Sequence, residues 1–199
     1  QGSSLLIDCG PDLRAQLLSQ KVKHLDAVFL THEHADHLHG IDDLRPLTYG
    51  PPRQSIPIWC SAGTRVKLEQ RFPYIFKSND YFGGKAPLGG GIPLLELKEI
   101  PLEKEFEIVP GLPITCFELP HGHGKTLALI APDFAYVVDC HDIPQAPLQA
   151  MRERKLKLLI LDCLQKPPHE THLNLERALF FAKEIGAKRT GLIHMNHDL

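Results

Sequence analysis

A short apolar run leads directly into the densest group of metal-ligand side chains in this chain. Residues 27–31 (Ala-Val-Phe-Leu-Thr) are apolar and partly β-branched, which predicts a buried strand, and residues 38–47 have the pattern of a starting helix. Between them lies the hexapeptide 32–37 (His-Glu-His-Ala-Asp-His), with four ligand side chains in six residues. The hexapeptide therefore belongs where a strand passes into a helix, which favours an α/β fold and is a common place for chemistry.

The spacing within the hexapeptide predicts two metal-binding directions. In extended backbone, residues two apart point the same way, so His32 and His34 can bind one ion together. Asp36 and His37 are displaced by the turn and can face a second ion. Neutral imidazole and carboxylate suit zinc, manganese or iron without any thiolate. The competing interpretation is a polar loop with scattered histidines, but this spacing is typical of a metal site.

The size and charge of the chain limit the class of protein to which it can belong. Its 199 residues, 43% hydrophobic and 23% charged, predict one domain over residues 1–199 with a substantial core. The formal net charge of -2 predicts no extended nucleic-acid surface. No apolar run approaches membrane-spanning length, so no membrane partner is expected. The chain starts without an initiator methionine and ends just past a predicted strand, so we expect a fragment that lacks its N-terminal and C-terminal ends.

The cysteines indicate a reducing compartment. They are odd in number, far apart and mostly flanked by apolar residues, which indicates reduced, buried side chains rather than a disulfide framework. We therefore expect a cytoplasmic protein. The five positions are Cys9, Cys60, Cys116, Cys140 and Cys163.

Periodicity along the chain predicts strand–helix repeats, then a β-rich middle, then strand–helix–strand. The predicted strands cover residues 4–9, 25–31, 56–60, 127–130, 134–138, 156–161 and 190–193, with 127–138 as a hairpin. The predicted helices cover residues 13–19, 38–47, 65–72, 143–155 and 175–187. Residues 76–91 predict a loop over the site, and residues 92–119 predict antiparallel strands.

A two-metal site needs further ligands, and the first comes from Pro120-His121-Gly122-His123-Gly124. We expect His123 to join His32 and His34 at the first ion, because it lies directly before the next strand. His121 is the competing choice.

Two later positions, each at the end of a predicted strand, can complete the second ion. Asp139 closes an apolar strand, where a carboxylate must be paired or coordinated, so it can bridge two ions. The alternative for Asp139 is an N-cap of the helix after Ile143. His194 ends the last strand and can join Asp36 and His37. His197 can orient one of the metal-binding residues without itself binding the metal.

In their order along the chain, these residues resemble the metallo-β-lactamase-fold hydrolase superfamily over essentially the whole sequence. The resemblance implies an α/β (α+β) fold, a four-layer αββα sandwich of two mixed β-sheets with helices on the outer faces. It also implies that Asp8 supports the metal loop by hydrogen bonds without ligating. Because His37 is present and Asp139 takes the bridging position that many β-lactamases give to cysteine, antibiotic hydrolysis is not expected.

Three further segments resemble the branch of the phosphoribosyl 1,2-cyclic phosphate phosphodiesterase. In that branch the histidine matching His172 lies by the metals and can protonate the leaving oxygen. The alternative for His172 is a surface histidine beside the loop 167–171. Related tRNA 3′-processing nucleases share the histidine, but their protruding arm is not found here. The matching segments are Ile7 to Arg14, Gly40 to Arg45, and Leu161-Asp162-Cys163 followed by His172-Leu173-Asn174.

The chemistry of such a site predicts phosphodiester hydrolysis. Two divalent ions about 3.5–4 Å apart can share a hydroxide and clamp an oxyanion. Asp36, at the metals, and His172, as proton donor, are the expected catalytic residues. His172 and Arg45 are the expected substrate-binding residues, since a guanidinium can bind phosphate; Arg45 pairing with Asp42 or Asp43 is the alternative.

We therefore predict a binuclear metal-dependent phosphodiesterase that acts on a small cyclic nucleotide or ribosyl phosphodiester through a metal-bridging hydroxide. The expected cofactors are two zinc or manganese ions, with iron as a further candidate. The expected partner is a small phosphorylated substrate, and a second copy of the chain in a homodimer is a further candidate. The competing functions are a thioesterase or glyoxalase II-type hydrolase, a tRNA 3′-processing-like nuclease, and a non-catalytic binding protein.

Overall fold

The computed structural model describes residues 2–85, 91–197 and 199 of the chain. The chain divides into two compact units, residues 1–100 (unit 1) and residues 101–199 (unit 2). Each unit has its own β-sheet and its own apolar core. The prediction of one domain over residues 1–199 stays a prediction.

Unit 1 is built on a four-stranded sheet in the order β1-β2-β3-β4, and its described strands are all parallel. A mixed sheet was expected, with antiparallel strands from residue 92 onward, and both expectations are wrong for β4. The reason is the long helical connection between β3 and β4, since parallel neighbours need a crossover rather than a hairpin. The strands are β1 Leu5–Ile7, β2 Ala27–Phe29, β3 Ile56–Cys60 and β4 Leu95–Glu99.

Short helices connect the strands of unit 1. The helix predicted over residues 38–47 is broken into three pieces, because Gly40 and Pro46 interrupt it. The loop predicted over residues 76–91 is partly helical, and its residues 86–90 lie outside the described part of the chain. The helices are α1 Leu13–Ser19, α2 Ala35–Leu38, a 3₁₀ turn Ile41–Leu44, α3 Arg45–Thr48, α4 Ala62–Arg71, α5 Pro73–Phe76 and α6 Ser78–Tyr81.

Unit 2 is built on a six-stranded mixed sheet in the order β10-β9-β8-β7-β6-β5. Strands β5 to β8 pair antiparallel, whereas β8, β9 and β10 pair parallel. The predicted hairpin is confirmed, with Leu129 opposite Tyr136 and Ile130 opposite Ala135. The strands are β5 Glu105–Val109, β6 Leu112–His121, β7 Gly124–Ile130, β8 Phe134–Val137, β9 Leu158–Asp162 and β10 Thr190–Ile193.

Two helices make the parallel crossovers of unit 2. Helix α7 (Gln145–Glu153) joins β8 to β9, and helix α8 (Leu175–Ile185) joins β9 to β10. The side chain of Asn174 caps α8 by accepting a hydrogen bond of 3.1 Å from the Arg177 backbone N–H. Gly186 ends the helix in the left-handed region at φ 69°, which a residue with a Cβ enters at a cost.

The cysteines belong to the buried interior of their units. All five are free and buried, so the prediction of reduced, small apolar side chains is confirmed. Burial raises the pKa of the Cys60 and Cys116 thiols to about 12, which keeps them protonated and unreactive near neutral pH. None of the described helices combines the length and apolar character needed to cross a membrane.

Candidate metal centre

In unit 1, the parallel pairing of β1 and β2 places the residues that follow both strands at one edge of the sheet. Asp8 follows β1, and its backbone N–H donates to the carbonyl of Phe29, the last residue of β2, over 2.8 Å. Thr31 and His32 follow β2 by two and three residues. The strand register therefore brings Asp8 next to the start of the hexapeptide cluster, defined as His32, His34, Asp36 and His37.

The Asp8 carboxylate accepts several of the hydrogen bonds that support this cluster. Its Oδ1 accepts from the Thr31 backbone N–H at 2.8 Å and from the Thr31 hydroxyl at 3.1 Å. Its Oδ2 lies 2.7 Å from Nδ1 of His37. These contacts are of the kind that the sequence resemblance implies for Asp8. They connect residues 31–37, the metal loop, to the end of β1.

Asp8 also determines which ring nitrogen of two histidines carries a proton. A carboxylate accepts only, so His37 donates from Nδ1 and keeps a lone pair on Nε2. The Thr31 hydroxyl donates its proton to Asp8, so its oxygen accepts from Nδ1 of His32 at 3.0 Å. His32 and His37 both direct their basic Nε2 away from the supporting shell, which is the usual arrangement of metal-binding histidines.

The three rings of the hexapeptide cluster lie together. The centroid of the His32 ring is 4.5 Å from that of His34 and 4.3 Å from that of His37. The Asp36 carboxylate lies 3.3 Å from Nε2 of His37. His32 and His37 are buried, whereas His34 and Asp36 are exposed. The cluster thus presents three imidazoles and a carboxylate, a donor set that suits divalent metals such as zinc.

Two glycines allow the loop after β1 to contact the metal loop closely. A Cβ on Gly10 would lie 2.2 Å from the Asp36 carbonyl oxygen, and one on Gly40 would lie 2.1 Å from the Gly10 carbonyl oxygen. The backbone N–H of Cys9 donates to the His37 carbonyl at 2.7 Å. Any side chain at either glycine would force these two segments apart.

In unit 2, four strands end at the same sheet edge. Strand β6 runs in the same direction as β8, and β8, β9 and β10 are parallel. Their carboxyl ends carry His121, Asp139, Asp162 and His194. With His172, these residues form the strand-end cluster.

Asp139 has one oxygen toward each of two imidazoles. Its Oδ2 lies 3.9 Å from Nε2 of His121, and its Oδ1 lies 3.4 Å from Nε2 of His194. The Asp139 carboxylate is buried. Helix α7 begins with Pro144 as its N-cap, so the alternative role of Asp139 as a helix cap is excluded.

The choice of His123 over His121 is corrected by the structure. β6 extends through His121, and Gly122 and His123 form the turn into β7, so His123 is exposed while His121 is buried next to Asp139. Nδ1 of His121 donates to the carbonyl of Thr171 at 3.0 Å, which leaves the lone pair on Nε2. His121 therefore has the geometry expected of a ligand.

His172 lies against a buried carboxylate that the sequence interpretation missed as a site residue. Asp162 is fully buried, its Oδ2 accepts from the Leu173 backbone N–H at 2.9 Å, and the same oxygen lies 3.4 Å from Nδ1 of His172. The His172 side chain is only 11% exposed, so a surface-loop role is excluded. Asp162 closes an apolar strand, as Asp139 does, and that pattern was the signal that could have identified it.

The strand-end cluster is compact. Asp139, Asp162, His172 and His194 each offer a ligand atom, and these four atoms lie within 4.8 Å of one another. The His172 ring is stacked on that of His194 with centroids 4.8 Å apart, and it is 4.9 Å from that of His121. This grouping of carboxylates and imidazoles suits a divalent cation.

Three residues at these strand ends have left-handed backbone conformations. The φ angles are 59° for Asp8, 53° for Asp139 and 66° for His194. Such angles cost energy for residues other than glycine and concentrate at functional sites. Glycine would relieve the strain but would remove the carboxylates and the imidazole.

The remaining predicted residues lie outside the two clusters. Arg45 is exposed and donates to the Gly91 carbonyl at 3.4 Å; within the described residues neither Asp42 nor Asp43 forms an ion pair with it. His197 is exposed, and no described residue hydrogen-bonds to it. Substrate binding by Arg45 and a supporting role for His197 stay predictions.

Comparisons with known proteins find matches over nearly the whole chain. The family model described as "Beta-lactamase superfamily domain" matches residues 4–195. A solved structure described as a new diphosphatase from the PhnP family is 30% identical, with a TM-score of 0.84 over 98% of this chain and 69% of that chain. This match confirms the predicted α/β fold class of two sheets with helices, of the metallo-β-lactamase type.

Two curated relatives also match nearly the full sequence. An octanoyltransferase of Porphyromonas gingivalis is 30% identical over 98% of this chain, and the chain spans only 37% of that protein's length. The anti-Pycsar protein Apyc1 of a Paenibacillus species is 25% identical over 98% of this chain and 79% of its own length.

Proposed function

The chain belongs to the β-lactamase superfamily, as a metal-dependent hydrolase of that fold, and on this premise we propose that it is a binuclear phosphodiesterase. Its substrate is a small cyclic nucleotide or ribosyl phosphodiester. Two divalent ions, zinc or manganese, are its cofactors. The proposed ligands are His32, His34, Asp36, His37, His121, Asp139 and His194.

The observation that carries this proposal is that Nδ1 of three imidazoles lies within hydrogen-bonding distance of an oxygen atom. His32, His37 and His121 each have Nδ1 engaged by an oxygen of the supporting shell. Each therefore offers Nε2 as a lone-pair donor without any rearrangement. The donors are nitrogen and carboxylate oxygen without thiolate, which supports zinc or manganese.

When bound, divalent ions supply activation of water near neutral pH and stabilisation of negative charge on the phosphoryl oxygens. The leaving alkoxide still needs a proton, and we propose that His172 donates it from Nε2; the distance of 3.4 Å between its Nδ1 and the Asp162 carboxylate supports this role. The buried Asp162 carboxylate holds the orientation of the imidazole.

Phosphoryl chemistry is favoured by the name of the diphosphatase relative. An acyl thioester is the second candidate substrate, because the name of the Porphyromonas relative refers to octanoyl transfer. Both reactions would use the same metal chemistry, so an assay of the two substrates is needed to distinguish them.

A substrate panel tests the proposal. The metal-loaded protein is offered a 2′,3′-cyclic nucleotide, a ribosyl cyclic phosphate and an octanoyl thioester under identical conditions. We expect turnover of a phosphodiester. Hydrolysis of the thioester alone would reject the phosphodiesterase and favour the second candidate.

We further propose a cytoplasmic location, in keeping with five free cysteines, and a small phosphorylated substrate rather than extended nucleic acid. A homodimer is part of the same proposal. Light scattering coupled to size exclusion measures the assembly, and a strictly monomeric mass at assay concentrations would remove that part.

A further inference from the structure

Unit 1 contains an open cavity of about 520 Å³ beside the hexapeptide cluster. Its walls are His34, Ala35, His39, Arg71 and Phe72. Small-molecule sites typically occupy roughly 300–1,000 Å³, so the cavity has the size of a ligand subsite. Because His34 is both a wall of the cavity and a proposed metal ligand, a molecule bound at the cluster can extend into it.

The aromatic wall of the cavity is held in place. Phe72 lies at the junction of α4 and α5, where its N–H donates to the Leu68 carbonyl at 2.8 Å and Pro73 starts the next helix. Its half-buried ring is nearly perpendicular to that of His39, with centroids 5.9 Å apart, and packs edge-on with Tyr74 at 6.4 Å. A planar ligand therefore meets a preorganised aromatic surface.

The cationic wall is Arg71, the last residue of α4. Its Nη1 donates to the Glu33 carbonyl, which fastens the side chain to the metal loop between His32 and His34. Among the described residues, this is the only hydrogen bond of the guanidinium, and no described carboxylate forms an ion pair with it. The other N–H groups and the positive charge are available to acceptors of a ligand.

We propose that this cavity is the subsite for the nucleobase of a nucleoside phosphodiester. Phe72 stacks on the base, and Arg71 hydrogen-bonds to acceptors of the base or stacks on it. An aromatic surface with an adjacent guanidinium suits a flat heterocycle with acceptor atoms. The inference rests on the proposed phosphodiesterase function and narrows its substrate, since a sugar phosphodiester without a base has no planar group to stack on Phe72.

The kinetic test compares two substrates that share the reacting group. These are 2′,3′-cyclic AMP and methyl riboside 2′,3′-cyclic phosphate, which has no base. Phe72→Ala is expected to raise KM for the nucleotide about 10-fold or more, with kcat and the base-free substrate little changed. The matched control is Phe180→Ala, at a half-exposed phenylalanine of α8, which should alter neither substrate. Equal effects of Phe72→Ala on both substrates would overturn the subsite.

Two further variants keep the test decisive if Phe72→Ala does not fold. Phe72→Leu keeps an apolar side chain but removes the π face. Arg71→Lys keeps a cation that can donate to the Glu33 carbonyl but removes the planar guanidinium. Both variants should raise KM for the nucleotide only. Thermal unfolding verifies that each variant is folded. A nucleotide KM equal to wild type in both folded variants would overturn the inference.

Direct binding separates failure of the subsite from failure of the proposed function. Titration calorimetry with 5′-AMP and ribose 5-phosphate needs no turnover. We expect AMP to bind at least about 10-fold more tightly, and Phe72→Leu to remove the difference. If no phosphodiester is hydrolysed while this pattern holds, the proposed function fails and the base subsite stands. Equal binding of both ligands to wild type would overturn the subsite.

Discussion

The two histidine clusters of this protein are held in different ways. The hexapeptide cluster of unit 1 comes from one continuous segment that runs from the loop after β2 into α2, and a single carboxylate, Asp8, supports it by hydrogen bonds. The strand-end cluster of unit 2 comes from the ends of four strands and the loop before α8. Its two carboxylates, Asp139 and Asp162, are themselves buried. One cluster is supported by hydrogen bonds to a carboxylate at the end of β1, the other by the register of a sheet.

This difference predicts where each cluster is vulnerable. Buried carboxylates close to one another are costly without a cation, so the strand-end cluster should depend most strongly on bound metal. Two proposed ligands of the hexapeptide cluster, His34 and Asp36, are exposed, so this cluster should depend most on Asp8 for the orientation of its side chains. Variants in the two units therefore separate metal retention from ligand orientation.

The largest effect is expected from Asp139→Ala. Loss of a buried ligand should remove metal and lower kcat/KM by about 1,000-fold or more, because metal charge stabilisation is worth several kcal/mol. Metal analysis and phosphodiester assays measure both quantities. The control is Asp133→Ala, at an exposed carboxylate before β8. Full metal and full activity in Asp139→Ala would show that the site is wrongly assigned.

His172→Ala should lower the rate by about 100- to 10,000-fold on an alkyl leaving group, with metal retained. A p-nitrophenyl diester needs no proton on its leaving group, so its hydrolysis should fall far less. His169→Ala, at an exposed histidine of the same loop, is the matched control. Equal losses on both substrates would argue against proton donation by His172.

Asp8→Asn should weaken metal binding by roughly 10- to 100-fold without unfolding unit 1. Asparagine accepts the backbone conformation at φ 59°, but its single amide oxygen cannot accept from both the Thr31 N–H and Nδ1 of His37. With the oxygen facing Thr31, the NH₂ group faces His37 where Oδ2 now lies. The His37 ring would then protonate Nε2, the nitrogen proposed as ligand. Competition with a fluorescent zinc chelator measures the affinity; an unchanged value would remove Asp8 from the account.

The smallest effect is expected from Thr31→Val. This change removes the hydroxyl that accepts from Nδ1 of His32 but keeps the branched shape of the threonine side chain. Loss of one hydrogen bond to a ligand should weaken metal affinity by about 10-fold, at the low end for supporting residues. Thr31→Ser retains the hydroxyl and should behave like wild type. Identical affinities for the valine and serine variants would show that the hydroxyl does not orient His32.

The strands and helices with strong local patterns could be predicted from sequence. The strands Ile56–Cys60 and Thr190–Ile193 and the helix Leu13–Ser19 match their predicted bounds. The partner of β4 could not be predicted, because its alternation indicates a strand but not which neighbour it pairs with. The helix predicted from residue 38 was broken by the close approach of Gly40 to the loop after β1, which is a long-range contact.

The candidate site shows the same division between local and long-range information. The hexapeptide cluster could be predicted because its candidate ligands lie within six residues of sequence. The choice between His121 and His123 depends on where the β6–β7 turn falls, and two glycines flank His123, so the turn could not be placed by pattern alone. Asp162 was overlooked because its importance depends on β9 lying beside β8 and β10.

The most direct test of the central claim is metal content measured together with phosphodiesterase activity. The purified protein is analysed by mass spectrometry, treated with chelator, and then reloaded with zinc or manganese. The account predicts two divalent ions per chain, loss of activity on chelation, and recovery in proportion to the ions restored. Full activity in the metal-free protein would contradict it.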